Sequence, residues 1–115
     1  MQAVVISNGY IAGKAHIIWE IPHDKINGYE IYRNGNLIAS SLKEENPDVF
    51  IQPTMFDHDK HTNLFRKDST HKLMYIDESV QQYQTYSYKI VAKRLNENNI
   101  VVEQIESNTA TTQIQ

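Results

Sequence analysis

The stretch Phe56–Thr62, FDHDKHT, places Asp57, His58, Asp59, Lys60 and His61 side by side. Carboxylates and imidazoles ligate divalent metals and move protons, so this is where chemistry would be sought first. Asp57, Asp59, His61 and Asp68 fall at the first, third, fifth and twelfth positions of a calcium-loop template. That template needs glycine at its sixth position and a bidentate glutamate at its twelfth. Here those positions hold Thr62 and Asp68. A transition-metal site would use His58 and His61, which share a face only on a helix, and no helical periodicity surrounds them. His71 is the only further histidine nearby, and no distant ligand is marked. The segment is expected to be a solvated loop, and no catalytic, cofactor-binding or metal-ligating residue is assigned to it. No cofactor is expected.

The remaining reactive types are scattered. His16 and His23 are expected at the surface, one on the outer face of a strand and one in the turn after it. No serine stands in a G-x-S-x-G elbow, and no glycine-rich phosphate loop occurs. There is no cysteine, which removes thiol nucleophiles, disulfides and zinc-thiolate sites. Without a nucleophile–base constellation, the chain is expected not to be an enzyme. Tyr10, Tyr32 and Tyr83 are candidates for stacking on sugars or partner side chains, whereas Trp19, Tyr29, Tyr86 and Tyr88 are assigned to the core. No Arg-Gly-Asp sequence is present.

These residues must be carried by a chain of 115 residues, which is expected to form one domain. Charged residues make up 22% and the net charge is −3, which excludes a nucleic-acid binder driven by phosphate neutralisation and the highly charged disordered class. No run approaches the ~18 apolar residues of a membrane span, so membrane insertion is not expected. The opening MQAVVISNGY lacks a charged start and an apolar block, so it does not read as a secretory signal. The compartment stays open, extracellular or cell-surface if the sequence is a domain of a larger protein.

Hydrophobicity repeats with period two, the strand period. Ala15, Ile17, Trp19 and Ile21 share one face of their segment, with Lys14, His16, Ile18 and Glu20 on the other. Tyr29 and Ile31 share a face, and Tyr86, Tyr88, Ile90 and Ala92 alternate with Ser87, Lys89, Val91 and Lys93. A slip of one residue there would bury two lysines, so the register is specified. Three of the four glycines follow asparagine, and Asn34-Gly35 supplies the positive φ of a tight hairpin. NENN at 96–99 marks a second hairpin. Residues 43–72 break the rhythm and are expected to be an ordered insertion anchored by Phe56, Leu64 and Phe65, with a short strand at Val49-Phe50-Ile51.

The chain resembles a fibronectin type III domain, of the bacterial type. Trp19-Glu-Ile-Pro22 is similar to the family's W-x-x-P at the end of its second strand. Gly28 to Gly35, GYEIYRNG, resembles its third strand and following turn. Tyr75-Ile-Asp77 resembles the Y-x-D before the crossover from fifth to sixth strand, and Val80 to Tyr86 has the spacing of L-x-P-G-T-x-Y. Ser107-Asn-Thr is similar to the S-N-T that opens the last strand. Together these cover residues 1–42 and 73–115. Two departures stand out: Gln82-Tyr83 replace Pro-Gly, and the 43–72 insertion is longer than the family's connection. The immunoglobulin pattern fits less well, since it needs a cysteine pair and a third-strand tryptophan.

The resemblance implies an all-β, immunoglobulin-like Greek-key sandwich of about seven antiparallel strands, three in one sheet and four in the other. It also implies a tyrosine corner at Tyr86. Its functional implication is a non-enzymatic structural spacer or protein–protein interaction domain, within a bacterial surface, secreted or phage-tail-like protein. The expected contact surfaces are the insertion 43–72 and the hairpin 95–106, with a protein partner or neighbouring domains of the same chain. The alternative is a small-ligand module for carbohydrate or metal. Edge strands leave a homodimer open.

Overall fold

The alternating segments form strands throughout. The computed structural model describes residues 1–8, 12–22, 25–40, 42–43, 46–50, 66–67, 72–98 and 100–115. Among them lie β1 (Ala3–Asn8), β2 (Ala12–Glu20), β3 (Gly28–Arg33), β4 (Asn36–Ser40), β5 (Leu42–Lys43), β6 (Asn46–Phe50), β7 (Arg66–Lys67), β8 (Lys72–Asp77), β9 (Thr85–Leu95), β10 (Val101–Glu106) and β11 (Ala110–Gln113). One antiparallel sheet runs β1-β2-β8-β7 and a second runs β10-β9-β3-β4, with β11 also on β9. β5 and β6 form a separate two-stranded ribbon. No helix among the described residues is long and apolar enough to cross a membrane.

The inward faces are the ones the alternation predicts. Ala15, Ile17 and Trp19 from β2 meet Tyr29 and Ile31 from β3 and Tyr88, Ile90 and Ala92 from β9 in one buried cluster. Trp19 and Tyr29 pack across the two sheets with ring centroids 5.4 Å apart and planes tilted by 55°, a favoured aromatic geometry. Two antiparallel sheets facing one another across this cluster make a β-sandwich.

Turn chemistry sets the registers. Asn34 (φ 50) and Gly35 (φ 85) both take positive φ, joining β3 to β4 as a primed two-residue turn. The Asn34 side chain also accepts from the Ser87 N–H at 2.9 Å while its own N–H donates to the Ser87 carbonyl at 2.8 Å. Asn27 does the same at the other end of the β3–β9 ladder. Its N–H donates to the Lys93 carbonyl at 2.9 Å, and its Oδ1 accepts from the Leu95 N–H.

Two expectations change. The strands are more numerous than seven and the sheets larger than three and four. β7 adds to the edge of the first sheet, pairing Arg66 with Met74 and Lys67 with Leu73. β10 pairs with the second half of β9 and β11 with the first. The strand expected at Val49-Phe50-Ile51 is β6, which begins earlier, at Asn46; Ile51 lies outside the described residues.

His16 is not at the surface: it is fully buried. It sits on β2, an interior strand of its sheet, between Ile6 on β1 and Ile76 on β8. Its Nδ1 lies 3.0 Å from the Lys14 carbonyl, which can only accept, so Nδ1 carries the proton.

Candidate functional site

Phe56 to Thr62, including Asp57, His58, Asp59, Lys60 and His61, lies outside the described residues, as do Tyr10, His23, Leu64, Phe65, Asp68 and His71. Among the described residues, no group of three or more histidine, aspartate or glutamate side chains is placed to hold a metal.

The densest polar cluster lies elsewhere, between the sheets. Asp77, at the end of β8, is 2% exposed. Its Oδ2 accepts from Arg33 Nη1 at 2.8 Å and from the Tyr88 hydroxyl at 2.8 Å. Its Oδ1 accepts from the Ser79 N–H at 3.1 Å and the Ser79 hydroxyl at 2.6 Å. Arg33 Nη1 also donates to Ser79 Oγ at 2.7 Å, and its guanidinium lies over the Tyr86 ring, 5.5 Å from the centroid. Burial alone would push the Asp77 carboxyl up; the donors Ser79, Tyr88 and Arg33 outweigh that and hold it below its ordinary value. Burial, reinforced by Asp77, pushes the Tyr88 hydroxyl up, so it stays protonated.

This cluster ties the two sheets together, joining β8 to β3 and β9. The sequence motifs contain Arg33 and Asp77, but neither residue is given a role there. A signal existed: continuing the inward face of β3 from Tyr29 and Ile31 reaches Arg33, and continuing that of β8 from Leu73 and Tyr75 reaches Asp77. Opposite charges at inward positions of two strands must find each other or leave a buried charge unpaired.

Two further motifs acquire physical roles. The Tyr86 hydroxyl accepts from the Gln81 N–H at 3.0 Å, pinning the connection from β8 to β9. Ser107 fills the break between β10 and β11. Its Oγ accepts from the Ile90 N–H at 2.8 Å, and its own N–H donates to the Ile90 carbonyl at 2.8 Å. Asn108 then bridges to the first sheet. Its Oδ1 accepts from the Ala3 N–H at 2.8 Å and its Nδ2 donates to the Ala3 carbonyl at 2.9 Å. One carboxamide thus satisfies the outward backbone groups of an edge-strand residue.

Among the described residues, two surfaces combine exposure with features suited to recognition. The first is the β9–β10 hairpin, where Ile100 is 59% exposed, Val101 43% and Val102 45%. β10 is an edge strand, paired on one side only among the described residues. Beyond the hairpin tip it carries Glu103, which pairs with Arg94 at 3.0 Å. The second is a groove of about 350 Å³ on the outer face of the second sheet. Tyr32 and Lys89 border it on one side, Gln104, Glu106 and Thr109 on the other, with the buried Val91 at its base. Of the tyrosines considered for stacking, Tyr32 is half-buried in this groove, and Tyr83 is 69% exposed on the β8–β9 turn.

Tyr83 takes φ 69, a conformation that glycine adopts without strain. Here a tyrosine holds it. The turn is held by the Tyr83 N–H, which donates to the Ile114 carbonyl at 2.7 Å, and by Gln113 Nε2, which donates to the Tyr83 carbonyl at 3.1 Å.

Comparison with known proteins finds no family model, no curated protein and no solved structure that matches this chain.

Proposed function

We propose that this chain is a non-enzymatic β-sandwich module of the fibronectin type III kind, serving as a spacer or protein-interaction domain of a larger protein. Support for the fold type comes from the sheet orders, the Tyr86 hydroxyl bond to Gln81 and the Ser107–Asn108 junction between the sheets. The Asp77 tie and the cross-sheet Trp19–Tyr29 contact favour a stiff body, as a spacer needs. Fold alone does not assign a job.

The interaction surface rests on one observation: three consecutive apolar residues, Ile100 to Val102, are exposed where an edge strand begins. An edge strand offers a row of unpaired N–H and C=O groups, and apolar side chains beside them add burial to the gain from backbone pairing. The partner is therefore an extended segment of another protein, or of a neighbouring domain, that adds to β10. A photo-crosslinking residue at Val102, expressed in the organism that makes the protein, should give a discrete protein adduct. The same residue at Leu37, which is 51% exposed on the opposite edge strand β4, should not. Equal labelling at both positions, or none at Val102, would remove the assignment.

A further inference from the structure

The groove on the outer face of the second sheet has a composition that points to a ligand class. Its volume, about 350 Å³, is at the small end of the ~300–1,000 Å³ typical of small-molecule sites. The charges in and beside it are neutralised in pairs. Lys89 Nζ lies 3.2 Å from Glu106 Oε1, and Lys93 Nζ lies 2.8 Å from Glu30 Oε1. An anion would have to compete with Glu106 for Lys89, and a cation with Lys89 for Glu106. A neutral solute that accepts from one and donates to the other disturbs neither pair.

The remaining groups fit such a solute. The Tyr32 hydroxyl donates to Glu30 Oε1 at 3.2 Å, the oxygen that also takes Lys93. The half-buried ring is thereby held at its polar tip where it borders the groove. Around it stand the exposed Gln104 carboxamide, the Thr109 hydroxyl and Ser87, whose Oγ is 2.8 Å from Thr111 Oγ1. Hydroxyls and carboxamides both donate and accept, as the vicinal hydroxyls of a sugar require. Tyr32, Ser87, Lys89 and Gln104 all project from paired strands, so little ordering cost remains for binding.

We propose that this groove binds a neutral saccharide, its ring stacked on Tyr32 and its hydroxyls bonded by Gln104, Glu106 and Ser87. The site shares β10 with the proposed partner surface but lies on the sheet face beyond the hairpin tip, and it does not depend on that surface having a partner.

The test is an amide-resolved NMR titration of the full chain with neutral disaccharides: maltose, cellobiose, xylobiose, mannobiose and chitobiose. Inorganic phosphate serves as the anionic probe. At least one disaccharide should shift the Ser87, Lys89 and Gln104 amides at millimolar concentration, with an affinity unchanged by added salt. Tyr32→Ala should weaken it about tenfold, the loss of one stacking contact. Gln104→Ala, at an exposed strand position, should weaken it several-fold while changing stability no more than an ordinary surface substitution does. The proposal is overturned if no disaccharide shifts these amides, if both variants bind as the parent does, or if only phosphate responds and salt abolishes the effect.

Discussion

At the scale of single residues, the structure turns on how a few polar groups are satisfied inside an apolar sandwich. Asp77 accepts four hydrogen bonds and pairs with Arg33, so removing it strands a guanidinium and the Tyr88 hydroxyl. Asp77→Ala should cost about 3 kcal/mol in a urea unfolding experiment, the penalty of breaking a largely buried ion pair. Because the folded state holds the Asp77 carboxyl below its ordinary value, that stability is present above the unfolded value near pH ~4 and is lost as pH falls through the folded value. The acid limb of a stability–pH profile should therefore flatten in Asp77→Asn. Burial pushes Tyr29 and Tyr88 upward instead. Their contribution is complete below the unfolded value near pH ~10 and lost above it, so in an ultraviolet titration both should ionise only as the protein unfolds. At Tyr83 the positive φ costs tyrosine about 1 kcal/mol that glycine would not pay, and Tyr83→Gly should leave stability equal or raise it by up to that amount.

At the scale of elements, the two hairpins were readable because their turns are local chemistry. Asn34-Gly35 can take two positive φ angles in succession, and a polar run at 96–99 separates two alternating segments. Gly35→Ala has open space for its methyl group, so its cost should come only from φ, about 1 kcal/mol by thermal unfolding. The inward faces of β2, β3 and β9 were readable for the same reason, since alternation is a property of neighbouring residues. What alternation cannot say is whether the other face meets water. His16 was assigned outward, and it is outward from the core cluster, yet it lies buried on an interior strand between Ile6 and Ile76. Val91 and Glu30, on the outer face of the second sheet, are buried too. The pairings of β2 with β8 and of β3 with β9 join partners far along the chain, which no local pattern encodes. The groove was hidden for the same reason: Tyr32 is far in sequence from the Gln104, Glu106 and Thr109 that face it. The acidic-histidine run that drew attention first remains outside the described residues.

At the scale of the whole molecule, the described ion pairs include an inner set and an outer set. Between the sheets they lock the sandwich through Asp77, Arg33 and Tyr88. On the outer face they neutralise each other through Lys89–Glu106 and Lys93–Glu30. Exposed apolar area is left at the start of β10, where it contributes little to the fold and is available to a partner. The central claim is that this edge exists for binding rather than for stability, and one double variant separates the two. Ile100→Lys with Val102→Lys should leave the unfolding free energy within about 0.5 kcal/mol of the parent, as surface substitutions do. In the same variant, the adduct formed through a photo-crosslinking residue at Val101 should disappear. A loss of several kcal/mol, comparable to emptying a core position, with the adduct retained, would contradict the claim and return these residues to the folding core.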